Sequence, residues 1–124
     1  MSEEQILLGR VRARSGEVDY AVDLQAGKHR LVADEPAGHG GANAGPGPYT
    51  LLLSGLAACT AITLRMYAQR KQWPLRDVAV QLSYGEGSAP GTTIIQRDIT
   101  LTGDLDQEQR ARLLQIANLC PLHK

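Results

Sequence analysis

The side chains best suited to chemistry in this sequence are two cysteines, Cys59 and Cys120. A cysteine is a nucleophile as its thiolate and a small, readily buried packing residue as its thiol, so its surroundings decide which part it plays. In a reducing compartment a permanent structural disulfide is the least favoured explanation of two thiols, which leaves packing or reactivity. Cys59 falls at helical spacing with Leu52, Leu56, Ile62 and Met66, and Cys120 with Leu113 and Ile116, so each thiol is expected on the face its helix buries. Two core cysteines with no reactivity would give the same pattern.

If the pair is reactive, electrostatics assigns the roles. Cys120 falls near a helix C-terminus, where the negative end of the dipole disfavours a thiolate, whereas Cys59 falls in mid-helix and is open to tuning by a nearby cation. Cys59 is therefore the better attacking group. Reaction with a peroxide needs the thiolate near neutral pH, and burial opposes ionisation, so a cation or hydrogen-bond donors must lower the Cys59 pKa. Arg65, six positions on, lies well round the helix and points elsewhere. The remaining candidates stand in the N-terminal segment: Arg10, Arg12, Arg14 and Arg30.

The elements that position these residues follow from periodicity. Leu8, Val11 and Ala13, then Tyr20, Val22 and Leu24, then Leu31 to Ala33 read as three strands joined at Ser15-Gly16 and Ala26-Gly27. Asp34 to Pro48 is rich in Gly, Pro, Ala and Asn and is expected to form an exposed loop, its glycines shaping a flexible lid. Pro48 suits the first turn of a long buried helix that ends near Trp73-Pro74. Val78, Val80 and Leu82 alternate with Ala79, Gln81 and Ser83, and Ile95, Ile99 and Leu101 follow a Gly85-to-Gly91 loop, which predicts a hairpin. Asp106 with Gln109 forms a capping box for a last helix that Pro121 stops. Blocks of strands and helices without strict alternation give an α+β class with antiparallel pairing.

Composition narrows the partners. The chain has 124 residues, 13 basic and 13 acidic side chains, and no basic run, so one domain is expected and a nucleic-acid partner is not. The acidic start, Glu3-Glu4, and the short apolar run Ile6 to Leu8 lack the pattern of a signal peptide, and a cytoplasmic location is expected. The longest apolar stretch, Tyr49 to Leu64, is interrupted by Ser, Thr, Gly and Cys, so no membrane association is expected.

The segments Ala33-Asp34-Glu35-Pro36, Gly45-Pro46-Gly47-Pro48-Tyr49-Thr50-Leu51-Leu52-Leu53, Gly55-Leu56-Ala57-Ala58-Cys59-Thr60 and Cys120-Pro121-Leu122-His123 together resemble the OsmC/Ohr family, the osmotically induced and organic hydroperoxide resistance proteins. The resemblance implies a single OsmC-like domain over 1–124, with antiparallel sheets wrapped around a long central helix in an intertwined homodimer. It also implies a thiol peroxidase for organic hydroperoxides. Cys59 matches the peroxidatic cysteine and Cys120 the resolving one, the sulfenic acid on Cys59 condensing with Cys120 to a disulfide that a dithiol reductant reopens. No cofactor is implied. The family's active-site arginine is best matched by Arg14, with Arg12 and Arg30 as alternatives. Family peroxidases carry a Glu just after the helix-opening Pro, where this sequence has Tyr49-Thr50, and family chains continue into a last strand beyond the Cys-Pro-x-His motif, whereas this sequence stops at Lys124.

Other residues are given plain structural readings. His39 and His123 lack metal-ligand spacing, so no metal site is expected. The glycines from Gly38 to Gly47 lack the order of a phosphate-binding loop. Tyr49 and Trp73, at the two ends of the long helix, are expected in the core.

Overall fold

A computed structural model describes residues 9–119. The chain divides into two compact units, Met1–Leu52 and Leu53–Lys124.

In the first unit, β1 (Val11–Arg14), β2 (Val22–Ala26) and β3 (His29–Ala33) form an antiparallel meander in that order. The register sets Arg12 opposite Gln25, which also faces Arg30, and Arg14 opposite Asp23. Because side chains alternate across a strand, Arg12, Arg14 and Arg30 share one sheet face with Asp23 and Gln25. Ala13, Leu24 and Leu31 form a row on the other.

The Gly-rich loop that follows is tethered rather than a free lid. Asp34 is 1% exposed, and its carboxylate accepts backbone N–H bonds from Glu35 at 2.7 Å and from Ala42 and Ala44 at 3.1 Å. The Asp34 N–H in turn donates to the Pro46 carbonyl at 3.1 Å. At Gly41 and Gly45 a Cβ would overlap the carbonyls of Glu35 and Val32. These glycines serve close backbone approach, and the expected flexible lid gives way to a loop folded around one buried carboxylate.

Helix α1 (Pro48–Lys71) opens at the expected proline. It ends where Gln72 takes a left-handed conformation (φ 59°) and the Trp73 N–H closes on the Ala68 carbonyl at 2.9 Å. Pro74 follows and cannot continue the helix. Strands β4 (Leu75–Glu86) and β5 (Thr93–Gly103) form the expected hairpin. Its register pairs Val78 with Leu101, Val80 with Ile99 and Leu82 with Arg97, one half-buried face, while Ala79 opposite Thr100 and Gln81 opposite Asp98 belong to the other. The pairing is irregular between Leu75 and Asp77, and there the Arg65 guanidinium takes up the carbonyls of Leu75 and Arg76. Arg65 thus points to the hairpin, away from Cys59, as its helical angle requires.

Helix α2 (Gln107–Ala117) starts with the predicted capping box: the Gln109 N–H donates to Asp106 Oδ1 at 2.8 Å, and the Asp106 N–H to Gln109 Oε1 at 3.0 Å. The core of the second unit joins Leu64 and Ala68 of α1, Leu75, Leu105, and Leu113, Ile116 and Ala117 of α2, with Tyr67, Trp73, Val78, Ile99 and Leu101 packed against them.

Candidate active site

Cys59 lies in mid-α1, as the spacing requires, but the buried stripe of that helix is turned from the expected one. Leu53, Thr60, Leu64 and Ala68 are buried. Leu56 and Cys59 are half-buried, and Leu52, Ile62 and Met66 are 63%, 56% and 58% exposed. The correction has a physical cause. From Pro48 to Ala68 the helix is apolar or small-polar on almost every side, so two stripes satisfy the same spacing and only packing chooses between them. Thr60 tolerates full burial because its hydroxyl donates to the Leu56 carbonyl at 3.0 Å.

The half-buried position gives Cys59 a packed side and an open one. Thr63, one turn on, brings its Oγ1 to 4.0 Å from the sulfur, a contact the helical i, i+4 relation would have revealed. Cys59 is disulfide-bonded, and among the described residues there is no free cysteine. Cys120 and His123 lie outside the described residues, whereas α2, expected to carry Cys120, ends at Ala117.

Arg12 and Arg14 are exposed on β1 and Arg30 on β3, all in the first unit, while Cys59 belongs to the second. The first turn of α1 holds no acid: Tyr49 and Thr50 occupy it. Tyr49 is 37% exposed rather than in the core, whereas Trp73 packs against the core edge-on to Tyr67 at 5.5 Å. His39 is exposed, its Nδ1 4.0 Å from a Glu35 carboxylate oxygen. Among the described residues no three His, Cys, Asp or Glu side chains gather to hold a metal.

Two further polar groups escaped the sequence reading. Asp34 is held below the usual carboxylate range by the Ala44 N–H first, then by those of Glu35 and Ala42, against the opposing pull of burial. Arg97, on the covered face of the hairpin, reaches the end of α2. Neither shows in a pattern of neighbours along the chain, since each depends on partners set by folding.

Residues 38–124 match the family model described as OsmC-like protein. The chain belongs to the OsmC-like family. No curated protein matches its sequence. Among solved structures, an OsmC-like protein from Mycoplasma pneumoniae superposes with a TM-score of 0.78 at 20% identity, covering 99% of this chain and 86% of that one. An organic hydroperoxide resistance protein OsmC from Legionella pneumophila gives 0.71 at 21% identity, with 97% and 89% covered. The organic hydroperoxide resistance protein OhrB of Bacillus subtilis gives 0.63 at 24% identity, with 94% and 88% covered. The α+β fold of this OsmC-like chain, with antiparallel sheets and a long central helix, is thus the fold of OsmC and Ohr proteins. By length and composition alone α1 would also suit a membrane span, with 22% of its most apolar stretch buried; the family fold uses it as the central helix.

Proposed function

We propose that this chain is a single-domain, thiol-dependent peroxidase that reduces organic hydroperoxides in the cytoplasm, Cys59 attacking and Cys120 resolving. The observation that supports the reading is the state of Cys59: a half-buried sulfur on the central helix, engaged in a disulfide. A pair kept only for packing would be two separate thiols.

The chemistry balances without a cofactor. The Cys59 thiolate attacks the terminal oxygen of the hydroperoxide; the O–O bond breaks, the alkoxide leaves and takes up a proton as the alcohol, and Cys59 becomes a sulfenic acid. The Cys120 sulfur then attacks that sulfur, an S–S bond forms, the S–O bond breaks and water departs with the thiol proton. A dithiol reductant supplies the two electrons that reopen the bond. Arg14 is assigned the part of the cation that favours the thiolate, on the sheet face that also carries Arg12 and Arg30. The apolar side of α1 that one chain leaves open, Leu52, Ile62 and Met66, supports a homodimer in which a second copy covers it.

One observation favours a second reading. The acid-free first turn of α1 fits a homodimeric binding module or a redox sensor that keeps the cysteine pair without rapid turnover. Purified protein with cumene hydroperoxide and dithiothreitol tests the first reading: steady consumption, abolished in Cys59→Ser, is expected. Absence of turnover by the wild type overturns the peroxidase. In that event, mass spectrometry after sub-stoichiometric peroxide separates the rest, a new Cys59–Cys120 disulfide indicating a sensor and two persistent thiols a binding module.

A further inference from the structure

Opposite charges gather in a cleft of the second unit that the cysteine chemistry does not use. The cleft, of about 360 Å³, is walled by Tyr67 and Lys71 of α1, by Trp73 just beyond it, and by Glu108 and Arg112 of α2. That size falls at the lower end of the range for small-molecule sites, roughly 300 to 1,000 Å³. Tyr67 lies well down the helix from Cys59, about 12 Å along the axis at 1.5 Å per residue.

The sequence by itself would pair two of these groups. Glu108 and Arg112 stand one turn apart on α2 with the acid first, the favourable order for a helical ion pair. In the folded chain the Arg112 guanidinium turns elsewhere: its Nε donates to the Tyr67 hydroxyl at 3.1 Å and its Nη1 to Gln115 Oε1 at 3.0 Å. It lies 5.7 Å from the centre of the Tyr67 ring, and Lys71 Nζ lies 5.8 Å from the same centre. The Arg112 hydrogen bond, then the charges of Arg112 and Lys71, hold the Tyr67 hydroxyl below the ordinary tyrosine value against the pull of burial. The positive charge of the cleft is thus collected on Tyr67.

The negative charge stands apart from it. Asp106 is engaged as the N-cap of α2, its Oδ1 accepting the Gln109 N–H at 2.8 Å. Glu108, exposed in the first turn, is left as the uncommitted carboxylate of the cleft. Separate cationic and anionic groups with an apolar wall from Tyr67 and Trp73 suit a molecule that carries both charges and an apolar body.

We propose that this cleft binds a zwitterionic α-amino acid with an aromatic side chain: Arg112 and Lys71 take its carboxylate, Glu108 its ammonium group, and Tyr67 and Trp73 its ring. Arg112 Nη2, which makes no hydrogen bond among the described residues, is the donor left for the carboxylate, and the bond it forms is charge-assisted. The same groups select against singly charged molecules, because an anion meets Glu108 and a cation meets Arg112 and Lys71.

The test titrates the full chain with three probes that share a phenyl group: L-phenylalanine, 3-phenylpropionate and 2-phenylethylamine. Trp73, the single tryptophan, lines the cleft and reports occupancy by its fluorescence, with calorimetry as the second measure. L-phenylalanine is expected to bind saturably and about tenfold tighter than either singly charged probe. Glu108→Gln should remove its preference over 3-phenylpropionate, and Arg112→Gln its preference over 2-phenylethylamine. Both side chains are exposed; should Arg112→Gln fail to fold, the Glu108→Gln comparison decides alone. The proposal is overturned by the absence of saturable L-phenylalanine binding, by binding no tighter than that of the better singly charged probe, or by a preference over 3-phenylpropionate that survives in Glu108→Gln. No peroxide and no thiol enters the measurement, so its failure leaves the peroxidase reading untouched, and a chain inert to hydroperoxide can still bind the amino acid.

Discussion

Replacing Leu113 by alanine probes the packing that holds α2, because Leu113 is fully buried while its neighbour Leu114 is 46% exposed. Leu113 faces the cluster of Leu64, Ala68, Leu75, Leu105, Ile116 and Ala117. Truncation removes three carbon groups at about 0.8 kcal/mol each, roughly 2.4 kcal/mol of lost burial. The cavity left behind adds to this, for a total of about 3 to 4 kcal/mol. That is a large share of the roughly 5 to 15 kcal/mol by which a domain is stable. With a urea slope of about 1 to 3 kcal/mol per molar, the midpoint should fall by at least about 1 M. The assay is equilibrium urea unfolding at fixed protein concentration with both cysteines reduced. Trp73, the single tryptophan, packs against the same cluster and reports its loss by fluorescence. Leu114→Ala should cost less than about 1 kcal/mol. A loss below about 1 kcal/mol for Leu113→Ala would refute the claim that the core of the second unit fixes α2.

Two further outcomes follow from charge. The Asp34 carboxyl titrates below its ordinary value near 3.8, so the folded loop binds its proton more weakly than the unfolded chain does. Its stabilisation is therefore complete above that ordinary value and lost as pH falls through the lowered one; Asp34→Asn should be less stable than wild type near neutral pH, with the gap closing in acid, and a gap that is independent of pH would contradict this. Tyr67 is held below the ordinary tyrosine value, first by the hydrogen bond from Arg112 Nε at 3.1 Å and then by the charges of Arg112, Lys71 and Arg70. Arg112→Ala should move its titration upward, seen as tyrosinate absorbance appearing at higher pH, and an unmoved titration would show that Arg112 is not the cause.

The features legible in the sequence are those that neighbours along the chain decide. Pro48 opened α1, Asp106 with Gln109 capped α2, and the alternation of Val78, Val80 and Leu82 gave the hairpin and its covered face. Leu113 and Ile116 were placed in the core by spacing alone. Tyr49 was misplaced because an aromatic residue at a helix end carries no signal of what covers it.

The two cysteines, the helices that lead to them and the family they belong to were already in the sequence, because helical spacing and short motifs are local properties. Which side of α1 is buried was not, since a helix apolar on nearly every side offers equivalent stripes and only its packing partners break the tie. Nor were the Asp34 tether, which gathers N–H groups from Glu35, Ala42 and Ala44, and the reach of Arg97 from β5 to Asn118. Both are bonds between residues that the folded backbone brings together, and a pattern of nearest neighbours holds no record of such meetings.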